Sequence, residues 1–206
     1  MTLQNLSAQA RIAKLKSLVD GDDNIFSDGT KKYSHERVFL LDVSDSMRHG
    51  LIEAKNVVAT YIQDGDGCYV FGNSVQYVSF RKLKHLQTMG LTAMLPAIKK
   101  AVEEVKGLVE ILLITDGDPN VDEEEMNNPG LFRGFEPFEY QNRIIDYACS
   151  LTGIVISCVG IGREVNMSFL EELARVTKGK CSHIETVEEL DNAVTFLLDA
   201  PKAITV

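Results

Sequence analysis

Val38-Phe39-Leu40-Leu41-Asp42-Val43-Ser44-Asp45-Ser46-Met47 runs from an almost unbroken apolar segment into a group of acids and hydroxyls. A run such as Val38 to Val43 has no polar face to offer water, so it reads as a central strand covered on both sides. The residues after it belong to the end of that strand and the turn beyond. The same transition recurs at Val109 to Thr115, a second buried central strand that ends in the polar segment Thr115-Asp116-Gly117-Asp118-Pro119-Asn120. Two such strands, each opening into a polar loop, are the frame on which the rest of the chain is placed.

Outward from them, short β-branched runs alternate with longer amphipathic ones, the mark of strands joined by crossover helices. Leu51 to Ile62 carries apolar residues at 51, 54, 58 and 62 on one helical face, and Met94 to Val105 does so with Leu95, Ile98, Ala101 and Val105. Cys68 to Phe71 and Val75 to Phe80 flank Gly72-Asn73-Ser74, which predicts a hairpin and one antiparallel edge strand. An irregular acidic loop is expected over Gly117 to Glu136. Pro137 then suits the first turn of a helix reaching about Leu151, followed by a strand over Ile154 to Val159. Ser168 with Glu171, and Thr186 with Glu189, have the spacing of capping boxes for the last two helices, with Cys181 to Ile184 a short edge strand between them. The fold class is α/β: a Rossmann-like, doubly wound three-layer sandwich with a mostly parallel central sheet, one antiparallel edge strand and flanking helices.

The chain has 206 residues, enough for one such domain with a well buried core. Residues 1–33 read as an N-terminal helix and loop extension, and 34–206 as the domain. In the extension Leu3, Leu6, Ala10, Ala13 and Leu15 to Val19 form an apolar stripe, which either packs on the domain's flank or serves as a partner-binding arm. With 21 Lys plus Arg against 30 Asp plus Glu, the net charge is −9, which repels nucleic acid and anionic membrane surfaces. No stretch of roughly 18 apolar residues is present and residues 1–16 lack the apolar block of a secretion signal, so a cytoplasmic setting is expected. The four cysteines, Cys68, Cys149, Cys158 and Cys181, have no metal-type pair spacing, and reduced thiols are expected. His35, His49, His85 and His183 are scattered and have no positioned nucleophile beside them, so an enzyme is not expected.

In open parallel sheets, ligands bind beyond the carboxyl ends of the strands, where neighbouring loops diverge. Three segments reach that rim: Asp42 to Ser46, Thr88 to Thr92, and Thr115 to Gly117. Asp42, Ser44, Ser46, Thr92 and Asp116 offer two carboxylates and three hydroxyls, all of them oxygen ligands. Such a set suits Mg²⁺, or Mn²⁺ or Ca²⁺, since hard cations take oxygens and Mg²⁺ commonly uses one or two carboxylates plus water. With three neutral ligands the ion keeps part of its positive charge, and a carboxylate from outside is the natural remaining ligand. Taken singly, Ser46 or Asp45 would signify only a helix cap. The acidic run Asp122 to Glu125 reads as a solvated loop.

The Asp-x-Ser-x-Ser of Asp42, Ser44 and Ser46, followed by Met47, then Thr92, then the Thr-Asp-Gly around Asp116, resembles the metal-ion-dependent adhesion site of von Willebrand factor A domains. The resemblance runs from about Arg37 to Ala200 and includes the order of elements and the edge hairpin. It implies that the hydroxyls of Ser44, Ser46 and Thr92 contact a metal, that Asp42 and Asp116 act directly or through water, and that an Asp or Glu of a partner completes the coordination. Two positions depart from the common pattern. Asp45 stands where many members have Gly, and could strengthen cation binding, divert the partner contact or cap the following helix. Gly90-Leu91 stands where many have two glycines, and Leu91 stiffens the threonine loop.

The resemblance implies an intracellular protein-protein interaction module, similar to stand-alone members that serve as adaptors, some of them for AAA+ ATPases. One alternative is a Mg²⁺-dependent phosphatase or phosphotransferase of the haloacid dehalogenase kind. That chemistry requires a second carboxylate two residues after the nucleophile, where this chain has Ser44. The other alternative is a structural subunit that binds no metal.

Overall fold

A computed structural model describes residues 33–63, 65–128, 131 and 136–198; the expected N-terminal helix and the domain boundary at 33/34 lie outside or at the margin of these. The elements are β1 (Tyr33–Ser34), β2 (Arg37–Asp42), α1 (Leu51–Tyr61), β3 (Asp66–Phe71), β4 (Val75–Tyr77), α2 (Phe80–Leu83), α3 (Met94–Glu104), β5 (Val105–Lys106), β6 (Glu110–Thr115), α4 (Glu123–Asn127), α5 (Pro137–Ser150), β7 (Val155–Ile161), α6 (Met167–Val176), β8 (Cys181–Ile184) and α7 (Leu190–Leu198). Short 3₁₀ turns at Ser46–His49 and Val187–Glu189 lead into α1 and α7.

Six strands form one sheet in the order β4-β3-β2-β6-β7-β8. All pairs are parallel except β3 with β4, where Tyr69 faces Tyr77 and Phe71 faces Val75 across the expected hairpin. β1 and β5 form a separate two-stranded parallel ribbon. The two apolar runs singled out in the sequence, β2 and β6, are adjacent at the centre, with Arg37 opposite Glu110 and Leu41 opposite Ile114.

Alternation along β2 shows why its run had to be continuous. Val38 and Leu40 enter the core beneath α3, α5 and α6, whereas Phe39 and Leu41 enter the core beneath α1 and α7. All four are fully buried. Each contributes about 1.5–3 kcal/mol by leaving water, and the two layers together hold the carboxyl ends of β2 and β6 in one place. The order of strand addition reverses there: from β2 the path goes to β3 on one side, and later to β6 on the other. The two central strands therefore end at a topological switch point, where loops part and leave a cleft.

Three local expectations are corrected. The segment from Asp122 to Glu125 is not a solvated loop. Asp122 caps α4, accepting from the amides of Glu124 and Glu125, while Glu125 accepts from the Asp122 amide, and both side chains are buried. Their charges are met by tertiary partners: Arg143 on α5 donates to Asp122, and the Tyr140 hydroxyl to Glu125. Second, α6 is capped by Asn166, whose Oδ1 accepts the Phe169 amide, and not by Ser168, because the helix has already begun at Met167. Third, Thr186 sits at the expected cap position, but its hydroxyl donates to Glu189 and accepts no cap hydrogen bond. Among the described residues no helix is long and apolar enough to cross a membrane.

Candidate metal centre

Asp42 is the last residue of β2 and Thr115 the last of β6, so the parallel pairing of these strands sets the two side by side. Beyond Asp42 the chain turns through Ser44 to Ser46, and Met47 plugs into the core beneath α1, anchoring the turn from below. Asp42 Oδ1 accepts the Ser44 amide at 2.8 Å and Oδ2 accepts the Thr115 hydroxyl at 2.5 Å. The Ser44 and Ser46 hydroxyls lie 2.9 Å apart, and Ser46 in turn donates to Asp116 Oδ1 at 2.7 Å. Thr92 arrives from the third segment. Gly117 marks the meeting point: a methyl group placed on it would lie 3.5 Å from Ser46 Oγ and 4.0 Å from Thr92 Oγ1. All five residues singled out in the sequence, from three separate loops, thus gather at one rim of the sheet.

The electrostatics favour a cation. Asp42 is wholly buried, and burial pushes its carboxyl up to about 7, opposed by hydrogen bonds from Thr115 and Ser44 and reinforced by the nearby Asp116 charge. Burial also raises Asp116, against the Ser46 hydrogen bond. Among the described residues no basic side chain pairs with either carboxylate. A wholly buried acid beside a half-buried one is costly when both are charged, and a divalent ion among their oxygens would reduce that cost. Among the described residues no three His, Cys, Asp or Glu side chains converge. The donor set is therefore two carboxylates supplemented by hydroxyls, which fits a hard ion that completes its shell with water.

Asp45 and Leu91, the two departures from the common pattern, both face outward. Asp45 holds the cap position of the 3₁₀ turn without a side-chain cap hydrogen bond, and instead pairs with Arg48 at 3.6 Å; both side chains are exposed. Leu91, 47% exposed, stands beside Thr92 as an apolar group at the rim.

Sequence reasoning passed over Thr115, although a lone hydroxyl closing a buried apolar strand needs a hydrogen-bond partner and that signal was present. It also passed over Asn73 and Asn120, whose side chains hold the segment carrying Thr92. Nothing in their spacing marks them, because both reach their targets across the fold. Downstream of Asp116, Asp118 accepts from Gln141 on α5 at 2.9 Å, and with the Asp122–Arg143 and Glu125–Tyr140 pairs this ties the loop to that helix.

No protein-family profile and no curated protein sequence matches the chain. Solved structures do match it in shape. A von Willebrand factor type A protein of Catenulispora acidiphila superposes with a TM-score of 0.59 at 18% identity, over 79% of this chain and 41% of its own. The ArnB paralog VWA2 of Sulfolobus acidocaldarius gives 0.52 at 22% identity, over 80% and 44%. Proximal thread matrix protein 1 of the mussel byssus, in a structure with a zinc-occupied MIDAS motif, gives 0.56 at 15% identity, over 82% and 48%. The chain spans less than half the length of each of these three proteins. The likeness establishes the fold, which is that of von Willebrand factor A domains.

Proposed function

We propose that this chain is a protein-interaction module in which Asp42, Ser44, Ser46, Thr92 and Asp116 hold a divalent cation, and the cation takes an Asp or Glu carboxylate of a partner protein. The observation that carries the reading is the hydrogen-bonded series Ser44, Ser46, Asp116, set over the buried carboxylate of Asp42. The zinc-occupied MIDAS motif of the mussel protein supports a metal at this end of the fold. Zinc generally takes nitrogen and sulfur ligands, so the all-oxygen set here favours Mg²⁺, with Mn²⁺ and Ca²⁺ as substitutes.

A non-enzymatic role accords with a rim whose hydroxyls and carboxylates are bonded to one another, Ser44 to Ser46 and Ser46 to Asp116, as one set of ligand oxygens. The haloacid dehalogenase type of phosphotransfer needs an acid at position 44, and that position is a serine bonded to Ser46. The cytoplasm is the proposed setting, and an AAA+ ATPase assembly is the proposed partner class. The test is affinity capture from cells in Mg²⁺ with and without EDTA. A bound protein released by EDTA, and not captured by Asp42→Ala, supports the reading. Capture that persists in EDTA overturns the bridging role.

A further inference from the structure

The side chain of Thr92 has to point into the cleft for its hydroxyl to serve an ion, and the backbone that aims it lies in a loop with an exposed leucine. The amides of this segment are fully spoken for at four of five positions. Met89 N donates to Val43 O at 2.6 Å and Ala93 N to Gly72 O at 3.1 Å, so both ends are bonded to backbone of neighbouring loops. Between them, Leu91 N donates to Asn73 Oδ1 at 2.6 Å and Thr92 N to Asn120 Oδ1 at 2.8 Å. Two of the three amides between them are thus satisfied by side chains, one from the β3–β4 turn and one from the loop after β6.

Further features single out this arrangement as a clamp. Asn120 is bonded twice, its own amide donating to Thr92 O at 3.3 Å. Asn73 also donates its amide to Met89 O at 2.8 Å. The close approach of Asn73 depends on Gly90, which has φ +48°; a Cβ there would fall 2.5 Å from Asn73 Oδ1. A Cβ at Gly72 would likewise fall 2.2 Å from Met89 O. Finally, Asp45 N donates to Gly90 O at 3.0 Å, joining this segment to the turn that bears Ser44 and Ser46.

We infer that Asn73 and Asn120 are positioning residues that preset Thr92 for the cation, so that the third loop of the site is organised before the ion arrives. The inference rests on the metal-binding reading above. Outer partners that orient first ligands commonly account for about 10–100-fold in metal affinity, because without them the ligand must be ordered at the expense of binding. Neither asparagine need touch the ion.

The test uses Mn²⁺ as the probe, with its affinity measured by electron paramagnetic resonance titration of the full chain. Asn120→Ala is expected to weaken Mn²⁺ binding about 10-fold or more, and Asn73→Ala less, since it acts one residue away. In a Thr92→Val background the Asn120→Ala penalty should fall below about twofold, because a clamp has no effect on a ligand that is gone. A penalty that persists undiminished in that background, or wild-type affinity in Asn120→Ala, overturns the inference while leaving the metal site standing. Failure of the wild type to bind Mn²⁺ overturns both. Hydrogen exchange on the wild type in EDTA gives a check that needs no variant to fold: the Leu91 and Thr92 amides should be protected, and fast exchange at both contradicts the clamp.

Discussion

The Thr115 hydroxyl donates a 2.5 Å hydrogen bond to Oδ2 of Asp42 across the two central strands of the sheet. With Oδ1 engaged by the Ser44 amide, the buried carboxylate is fixed on both sides. Thr115→Val keeps the shape and removes the donor, leaving a buried acceptor short of a partner. A loss of about 1–3 kcal/mol is expected in urea unfolding in EDTA. A variant as stable as the wild type would show that Asp42 does not depend on this bond.

Gly117 offers a test by addition. The methyl group of Gly117→Ala would meet Ser46 Oγ at 3.5 Å and Thr92 Oγ1 at 4.0 Å, ordinary contact distances at a φ that an L-residue accepts. The variant should therefore melt with the wild type in EDTA, yet bind Mn²⁺ more weakly, because the methyl intrudes between two ligand hydroxyls. Unchanged Mn²⁺ affinity would place the ion elsewhere.

The partners of Asp122 at the start of α4 should show as pH dependence. Burial pushes the Asp122 carboxyl up, but the Glu125 amide, the Arg143 guanidinium and the Glu124 amide outweigh it and hold the group below its usual range. A folded-state value below the unfolded one stabilises at pH above the unfolded value, about 4, and that stabilisation is lost as pH falls through the folded value. Asp122→Asn should thus be less stable than the wild type at pH 7, by about 1 kcal/mol since Arg143 is half exposed. The difference should shrink in unfolding curves taken below pH 4. A gap that stays constant from pH 7 to pH 3 would contradict this account.

The core makes the plainest claim. Leu40 is fully buried in the layer beneath α3, α5 and α6. Leu40→Ala should lower unfolding free energy by about 2–5 kcal/mol, read from urea denaturation. A cost under about 1 kcal/mol would mean that the central strand is not packed on that face.

How far the sequence could be read depended on whether a residue's partners were local. β2 and β6 were legible because burial on both faces leaves no polar positions, and α1 and α3 because their apolar residues recur at helical spacing. Asp42 and Asp116, with Ser44 and Ser46 in the turn after β2, could be set at one rim because the carboxyl ends of adjacent parallel strands lie together, whereas Thr92, in the loop that leads into α3, was pointed to by the resemblance. Asp122 and Glu125 were misread for the opposite reason. Four consecutive acids look solvated, and only the fold brings Arg143 and Tyr140 from α5 to meet them. The choice of Asn166 over Ser168 as the cap of α6 likewise depended on where the buried face of Phe169, Leu170 and Leu173 had to fall. Asn73 and Asn120 carried no signal, because a side chain that serves a backbone amide 18 or 28 residues away imposes no pattern on its own neighbourhood.

Whether oxygens from three loops share one cation is read by Mn²⁺ titration of the wild type beside Asp42→Ala, Thr92→Ala and Asp116→Ala, each variant removing one loop's contribution. One Mn²⁺ bound per wild-type chain, with affinity reduced in all three variants, is the result expected. A wild type that binds no Mn²⁺, or a variant in any one loop that binds as the wild type does, would contradict the shared site.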